Sequence, residues 1–250
     1  MFLTQEDVAQ YGRDGYLIAE NLFSPAEVAK MIEAVEKGER VAARTSEGIA
    51  DNAGKQARFA NWKELGNDIW SAASSSPRIV NAARILLGEE IVFFGGKIIF
   101  KEARSGGAWE WHQDFGYWYT GCVYPHMLSV FIALDPATRE NGCLRVLKGS
   151  HKAGRLQHQK AAGGDQIEAD PARITRLEGL HETVHCEMSP GSALFFHCNL
   201  LHSSSANESD RDRRAFITCY NALNNIQISN GQMIIKDPCP VGKDDAILSF

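Results

Sequence analysis

Apolar residues recur at two different spacings along this chain, and the change from one to the other falls near Ile91. Upstream of it they return every three or four residues, the period of an amphipathic helix. Thr4 and Asp7 are placed as a near capping box at a helix start, with Val8 and Tyr11 following on the apolar side. The short Gly-led run 15–19 predicts a first strand. Ser24 and Pro25 open a second helix over residues 25–40, in which Val28, Met31, Ile32 and Val35 share a face. Residues 45–59 turn polar and contain glycines, which predicts an exposed and mobile loop. Arg58, Trp62 and Trp70 then flank a further helical stretch, and Pro77 and Gly88 bracket another helix.

Downstream of Ile91 the apolar runs shorten and become rich in β-branched and aromatic residues. Strands are predicted at 91–94, 97–101, 128–134, 143–147, 192–197 and 214–221, with Asn141-Gly142 as a two-residue hairpin turn between two of them. Residues 153–185 interrupt the strands with a polar insertion, long enough to predict an ordered lid or excursion. Helices followed by recurring short strands predict a mainly β fold with supporting α-helices, an all-β barrel or double-sheet jelly roll. With no repeat, low-complexity tract or linker, one domain is expected over 1–250: helical support at about 1–90, a jelly-roll core at about 91–221 and a C-terminal extension at 222–250.

Composition narrows the partners. The formal net charge of -5 offers no global attraction to nucleic acid or to an anionic membrane, so a small-molecule substrate is favoured. No apolar run approaches the roughly 20 residues of a membrane span, and the opening residues lack a basic region followed by an apolar one, so a cytoplasmic location is expected. The six cysteines include no C-x-x-C pair and are read as free, mostly buried thiols in a reducing compartment. Oligomeric state is left open.

The densest aromatic stretch, residues 109–119, carries His112 and Asp114 two positions apart. On a strand those side chains share a face while Gln113 points away, so the pair supplies half of a metal site. The third ligand has seven candidates downstream: His126, His151, His158, His181, His185, His197 and His202. His151 closes a turn and reads as structural, whereas His158, His181 and His185 fall in the polar insertion and read as solvated. His197 ends an apolar strand and competes. His202 is favoured because Ser203, Ser204, Arg211, Arg213 and Arg214 follow it, the hydroxyls and guanidinium groups that a bound dicarboxylate requires. Most of the aromatic residues serve packing. Trp118 falls on the face of His112 and Asp114 if the strand continues, which makes it the candidate substrate wall. Lys97 and Lys101 share one face of their strand and point either inward to a carboxylate or outward from an edge. Arg58 and Trp62, beside the polar loop, are candidates for a substrate lid.

Trp111-His112-Gln113-Asp114, then Asn141-Gly142-Cys143-Leu144 leading to Gly149-Ser150-His151-Lys152, then residues 190–197, then Leu201-His202-Ser203-Ser204 leading to Asn207 and Arg213-Arg214, resemble the phytanoyl-CoA dioxygenase family of iron- and 2-oxoglutarate-dependent oxygenases. The resemblance implies a double-stranded β-helix holding Fe(II) on His112, Asp114 and His202, with 2-oxoglutarate and O2 as co-substrates. It also implies that Arg213 and Ser204 hold the distal carboxylate of 2-oxoglutarate. An inward Lys97 is a further candidate contact to it, and strand alternation puts Arg214 on the opposite face. The related halogenases have a small residue where Asp114 stands, so hydroxylation, desaturation or ring closure of an unactivated C–H is expected, and chlorination is not. No basic cluster suited to the phosphates of coenzyme A is evident, so an acyl-CoA substrate is not inferred. Two other readings remain at this point: a non-catalytic jelly roll that binds a small ligand, and a metallo-cupin that is not an oxygenase.

Overall fold

The computed structural model describes residues 3–250. Helix α1 (Gln5–Asp14) leads into strand β1 (Tyr16–Ala19), followed by α2 (Pro25–Lys37), α3 (Glu39–Ala42), β2 (Ile49–Ala50), β3 (Gln56–Trp62), α4 (Ile69–Ser74) and α5 (Pro77–Leu87). The middle of the chain forms β4 (Ile91–Lys101), β5 (Trp109–His112), α6 (Asp114–Trp118), β6 (Met127–Ala133), β7 (Leu144–Leu147), β8 (His158–Lys160), β9 (Ile167–Ala169) and α7 (Pro171–Glu178). Strands β10 (Thr183–Cys186), β11 (Ala193–His197), β12 (His202–Ser204), β13 (Arg213–Ala222), β14 (Gln227–Ser229) and β15 (Gln232–Ile234) complete it.

Both capped starts form as expected. Thr4 Oγ1 accepts from the Asp7 N–H at 3.2 Å while Asp7 accepts from the Thr4 N–H at 2.8 Å, and Ser24 and Glu27 repeat the exchange. The helix expected over 25–40 breaks at Gly38, beyond which α3 restarts it.

Strands assemble into a seven-stranded sheet in the order β1-β11-β6-β13-β4-β3-β2 and a four-stranded sheet in the order β10-β7-β12-β5. Every pairing is antiparallel, and the two sheets face one another as a jelly roll. Alternation along β13 divides the core. Phe216 and Tyr220 face the helices α2, α4 and α5, where Trp70, Met31 and Ile79 pack against them, while Ala215, Ile217 and Cys219 face the small sheet with Leu144 and Val146. By the same parity Arg213 belongs to the space between the sheets and Arg214 to the helical side.

Three local expectations are corrected. Residues 45–59 are not an irregular loop but carry the β2–β3 hairpin, with buried Asp51 at its turn, whose carboxylate accepts from the N–H groups of Ala53, Lys55 and Ala108. Asn141-Gly142 does not join adjacent strands: β6 and β7 lie in different sheets, and the loop between them crosses the sandwich, with Asn141 bonded to Thr138 N and Pro136 O. The runs 91–94 and 97–101 are one strand, because Gly95 and Gly96 continue it under Trp62; a Cβ on Gly96 would lie 2.7 Å from the indole nitrogen. The 153–185 insertion is ordered, as expected, into the β8–β9 hairpin, α7 and β10. All six cysteines are free and buried, and no helix among the described residues is long and apolar enough to cross a membrane.

Phe216 has no exposed surface and stacks on Trp62 at 6.0 Å with Trp70 at 5.1 Å, joining the large sheet to the helices. Phe216→Ala is expected to lower unfolding free energy by about 3–5 kcal/mol, read from the shift in a urea midpoint at unchanged slope.

Candidate active site

His112 and His202 sit directly opposite one another on β5 and β12, next to a register shift in that pairing. Their rings lie 4.1 Å apart, and each Nδ1 engages the carbonyl oxygen two residues earlier, Glu110 O at 2.7 Å and Leu200 O at 2.9 Å. A carbonyl accepts only, so both Nδ1 atoms carry the proton and both Nε2 atoms are left with a free lone pair. Burial, together with the proximity of His202, pushes the His112 pKa well below the ordinary histidine value, and burial also lowers that of His202 against the opposing pull of Asp114. Both rings are therefore neutral, the form that binds metal.

Asp114 reaches the histidines by a route other than strand alternation. β5 ends at His112, Gln113 is the residue before α6, and Asp114 is the first helical residue. The Gln113 N–H donates to His158 Nε2 at 3.0 Å in place of a strand partner. Its side chain is fully buried: the amide donates to Gly154 O and Asn199 O and accepts from the Leu156 N–H, joining three segments. Asp114 Oδ2 accepts from Ser129 Oγ at 2.5 Å, which turns Oδ1 toward His202 Nε2 and Lys97 Nζ, each 3.9 Å away. One ligand atom from each of His112, Asp114 and His202 falls within 4.8 Å of the others. Two neutral imidazoles and one oriented carboxylate, all buried, fit a divalent transition metal such as Fe(II).

A cavity with ≈ 480 Å³ of empty space runs from this cluster between the sheets, lined by Lys97, Trp109, Ser204, Lys101 and Arg213 among others. Arg213 is 1 % exposed; its Nη2 donates to Gly142 O at 2.9 Å, while Nε and Nη1 have no partner. Burial draws its pKa down to about 10. Lys101, buried beside it, donates to Gly107 O at 2.7 Å and to Ser205 O, and burial together with Arg213 lowers its pKa well below the ordinary lysine value. Two buried cations with unsatisfied guanidinium donors fit an anion such as the far carboxylate of 2-oxoglutarate. Lys97 lines the same cavity four residues along β4, beside Asp114, so Lys101 and not Lys97 adjoins Arg213. Arg214 points to the other face, where it forms a bidentate pair with Asp135 and bonds Glu36.

A second cavity, with ≈ 860 Å³ of empty space, meets the cluster from the other side. Phe59, Phe94, Trp109, Tyr117 and Trp118 supply its aromatic lining, with Lys63 and Lys97 as its cations. Trp118 lines it from α6, packed on Phe94 at 4.9 Å, not from a continued strand. The structure places the two lid candidates differently. Arg58 pairs with Glu102 at 2.5 Å and lines neither cavity, because strand alternation on β3 turns it away. Trp62 borders the second cavity, 2 % exposed and stacked on Phe216. The other histidines lie outside the cluster. His197 Nδ1 accepts from the Asn199 N–H at 3.0 Å, with its ring 5.3 Å from His151. His151 is half-buried against α1, near Gly12 O at 3.3 Å. His158 is not solvated, being held between Gln113 N and Leu156 O, and His181 is half-buried on Lys148 O. Ser129, Gln113 and Lys63 were not singled out from the sequence; a polar Ser inside the apolar run 127–133 was the one available signal.

Two antiparallel sheets closed around such a cluster define an oxygenase of the iron- and 2-oxoglutarate-dependent class. Within that class the chain belongs to the phytanoyl-CoA dioxygenase family, whose family model, Phytanoyl-CoA dioxygenase (PhyH), matches residues 11–215. An L-proline trans-4-hydroxylase of Streptomyces griseoviridis is 28% identical over 95% of this chain and 94% of its own length. An ectoine dioxygenase of Bordetella bronchiseptica is 30% identical, covering 89% of this chain and 77% of that protein. Among solved structures, EctD from S. alaskensis with 2-oxoglutarate and 5-hydroxyectoine superposes with a TM-score of 0.75 at 25% identity, over 92% of this chain and 79% of that one.

Burial lowers the pKa of His197 to about 4 in the folded protein, against 6.5 for an ordinary histidine. The unfolded chain therefore binds a proton in that window that the native chain does not, and stability falls as pH drops from about 6.5 toward 4. Urea midpoints across this range are expected to decline less steeply for His197→Gln than for the parent protein.

Proposed function

We propose that the chain hydroxylates an unactivated C–H of a small organic metabolite seated in the aromatic cavity, with Fe(II) held by His112 Nε2, Asp114 Oδ1 and His202 Nε2. The observation that carries this reading is the unsatisfied, buried Arg213 at one end of a cavity whose other end is the His-Asp-His cluster. Arg213 and Ser204, beside Lys101, would hold the far carboxylate of 2-oxoglutarate in that cavity. Iron and 2-oxoglutarate, when bound, supply with O2 the oxidation that releases succinate and CO2 and leaves a hydroxyl on the substrate.

The chain's own contribution is positional and electrostatic. Nδ1–H bonds to Glu110 O and Leu200 O hold both imidazoles neutral and oriented, and Ser129 presents one oxygen of Asp114. Arg213 sets the co-substrate's depth through a planar fork that Lys would not reproduce. Lys97, between the cavities and beside Asp114, offsets the negative charge that accumulates there. Trp118 and Phe94 hold the substrate against the cluster and exclude water from it. Asp114 occupies the position that a halide would need, which favours oxygen transfer. Relatives named for L-proline and ectoine support a substrate of that order of size. Helices and the large sheet share one core through Phe216, and the large sheet's other face packs on the small sheet, which supports a single working domain; six free, buried cysteines support a cytoplasmic location.

Anaerobic addition of Fe(II) and 2-oxoglutarate is expected to produce the weak visible charge-transfer band of the chelated co-substrate; no band, and no succinate under O2 with a substrate panel, overturns the proposal. Arg213→Gln should retain Fe(II) and weaken 2-oxoglutarate by about 100-fold in a titration of that band. Asp114→Ala should abolish hydroxylation with an unchanged circular dichroism spectrum. Ser129→Ala is expected to weaken Fe(II) by about tenfold, and His197→Gln to leave it unaffected; loss of iron from the His197 variant and not from a His202→Gln variant would reverse the choice of distal histidine.

A further inference from the structure

The second cavity has an electrostatic imbalance that the hydroxylase reading does not use. Its lining contains one carboxylate, Asp114, and that group faces the histidines and Lys97. Lys63 also lines it, with Nζ 4.8 Å from the centre of the Phe94 ring. A third ammonium reaches the same ring from far along the chain: Lys236, beyond the β14–β15 hairpin, lies 5.8 Å from its centre and donates to Phe93 O at 3.0 Å. Among the described residues neither Lys63 nor Lys236 has a carboxylate within ion-pair distance. Burial lowers the pKa of half-buried Lys236 and the nearby charge of Lys63 lowers it further, partly offset by Cys122 and Glu64.

Two like charges gathered on one aromatic ring repel, and attraction to the ring offsets only part of that cost. An anion placed between them removes it. Gly95 and Gly96 line the cavity next to Phe94, and Trp62 packs closely on both: a Cβ on Gly95 would lie 3.2 Å from Trp62 O and one on Gly96 2.7 Å from Trp62 Nε1. Beyond this polar end the lining is aromatic, with Trp118 and Tyr117 leading to His112 and Asp114.

Resting on the hydroxylase reading above, we infer that the substrate is a small carboxylate whose anionic group is held by Lys63 and Lys236 over Phe94, so that its apolar body lies along Trp118 and presents a C–H to the metal cluster. Lys63 and Lys236 are the specificity-determining residues, and the C-terminal segment is part of the substrate site. A neutral molecule of the same shape forgoes the charge-assisted bonds to both ammoniums and binds more weakly.

The test uses the full chain loaded anaerobically with Fe(II) and 2-oxoglutarate. L-proline, cyclopentanecarboxylic acid and isobutyric acid are each titrated beside the matching carboxamide, following the perturbation of the visible band and the quenching of tryptophan fluorescence. The expected result is binding of at least one acid with its amide weaker by about tenfold or more, and that ratio collapsing toward one in Lys63→Gln and Lys236→Gln while 2-oxoglutarate affinity stays unchanged. Absence of the band itself would fail the dioxygenase reading. A normal band with no preference for any acid, or with a preference that both lysine variants retain, would overturn the carboxylate inference and leave the dioxygenase reading standing.

Discussion

The backbone N–H of Gln113 bonds to the ring of His158, and its buried amide takes two carbonyls and one N–H from the loops around it. Those four bonds turn the chain out of β5 immediately after His112 and start α6 at Asp114. In a site with no access to water, each group left unpaired would cost on the order of 1–3 kcal/mol, so the turn is determined by more than local propensity. His112 is thereby kept in register with His202 while Asp114 swings over both. The loop that carries His158 is thus part of the structure that shapes the metal site, although it contributes no ligand.

The same interior is unusual in its charge. Arg213, Lys101 and Lys97 enter the space between the sheets, against Asp114 as the carboxylate of the cluster. Burying cations without partners costs several kcal/mol each, and this fold meets that cost at Lys101 with two carbonyl oxygens and at Arg213 with only one. The deficit at Arg213 is what an anionic co-substrate would relieve, so its binding and the stability of the folded chain are linked. Arg214, one residue on, has the opposite situation: a bidentate carboxylate and a second acid raise its pKa and fix the strand end to the helical layer. One step of strand alternation separates a structural arginine from one available to a ligand.

Much of this was legible in the residues alone, and the reasons are local. Capping boxes at Thr4 and Ser24 act within one turn, the alternation of Arg213 and Arg214 is a property of any strand, and six cysteines without a pairing motif point to thiols. The order of motifs from His112 to Arg213 was sufficient to indicate the family and the fold. Where the sequence reading failed, the cause was a contact with a distant segment. The polar run 45–59 looked like an irregular loop because its buried anchor, Asp51, bonds to Ala108, and Asn141-Gly142 looked like a hairpin because its dipeptide does not encode which sheet receives the next strand.

The opening pair shows the division most clearly. Sequence by itself determined that His112 and Asp114 are close, since any compact geometry over three residues brings them within reach, and that hydroxyl and guanidinium groups follow His202. Only the tertiary structure decided that a strand-to-helix turn, and not alternation, aims Asp114, that Lys101 stands beside Arg213, and that Lys236 from the end of the chain meets Lys63 over Phe94. Spacing along a chain constrains neighbours through bond geometry, whereas the meeting of distant groups is set by how sheets pack and which buried polar atoms must find partners.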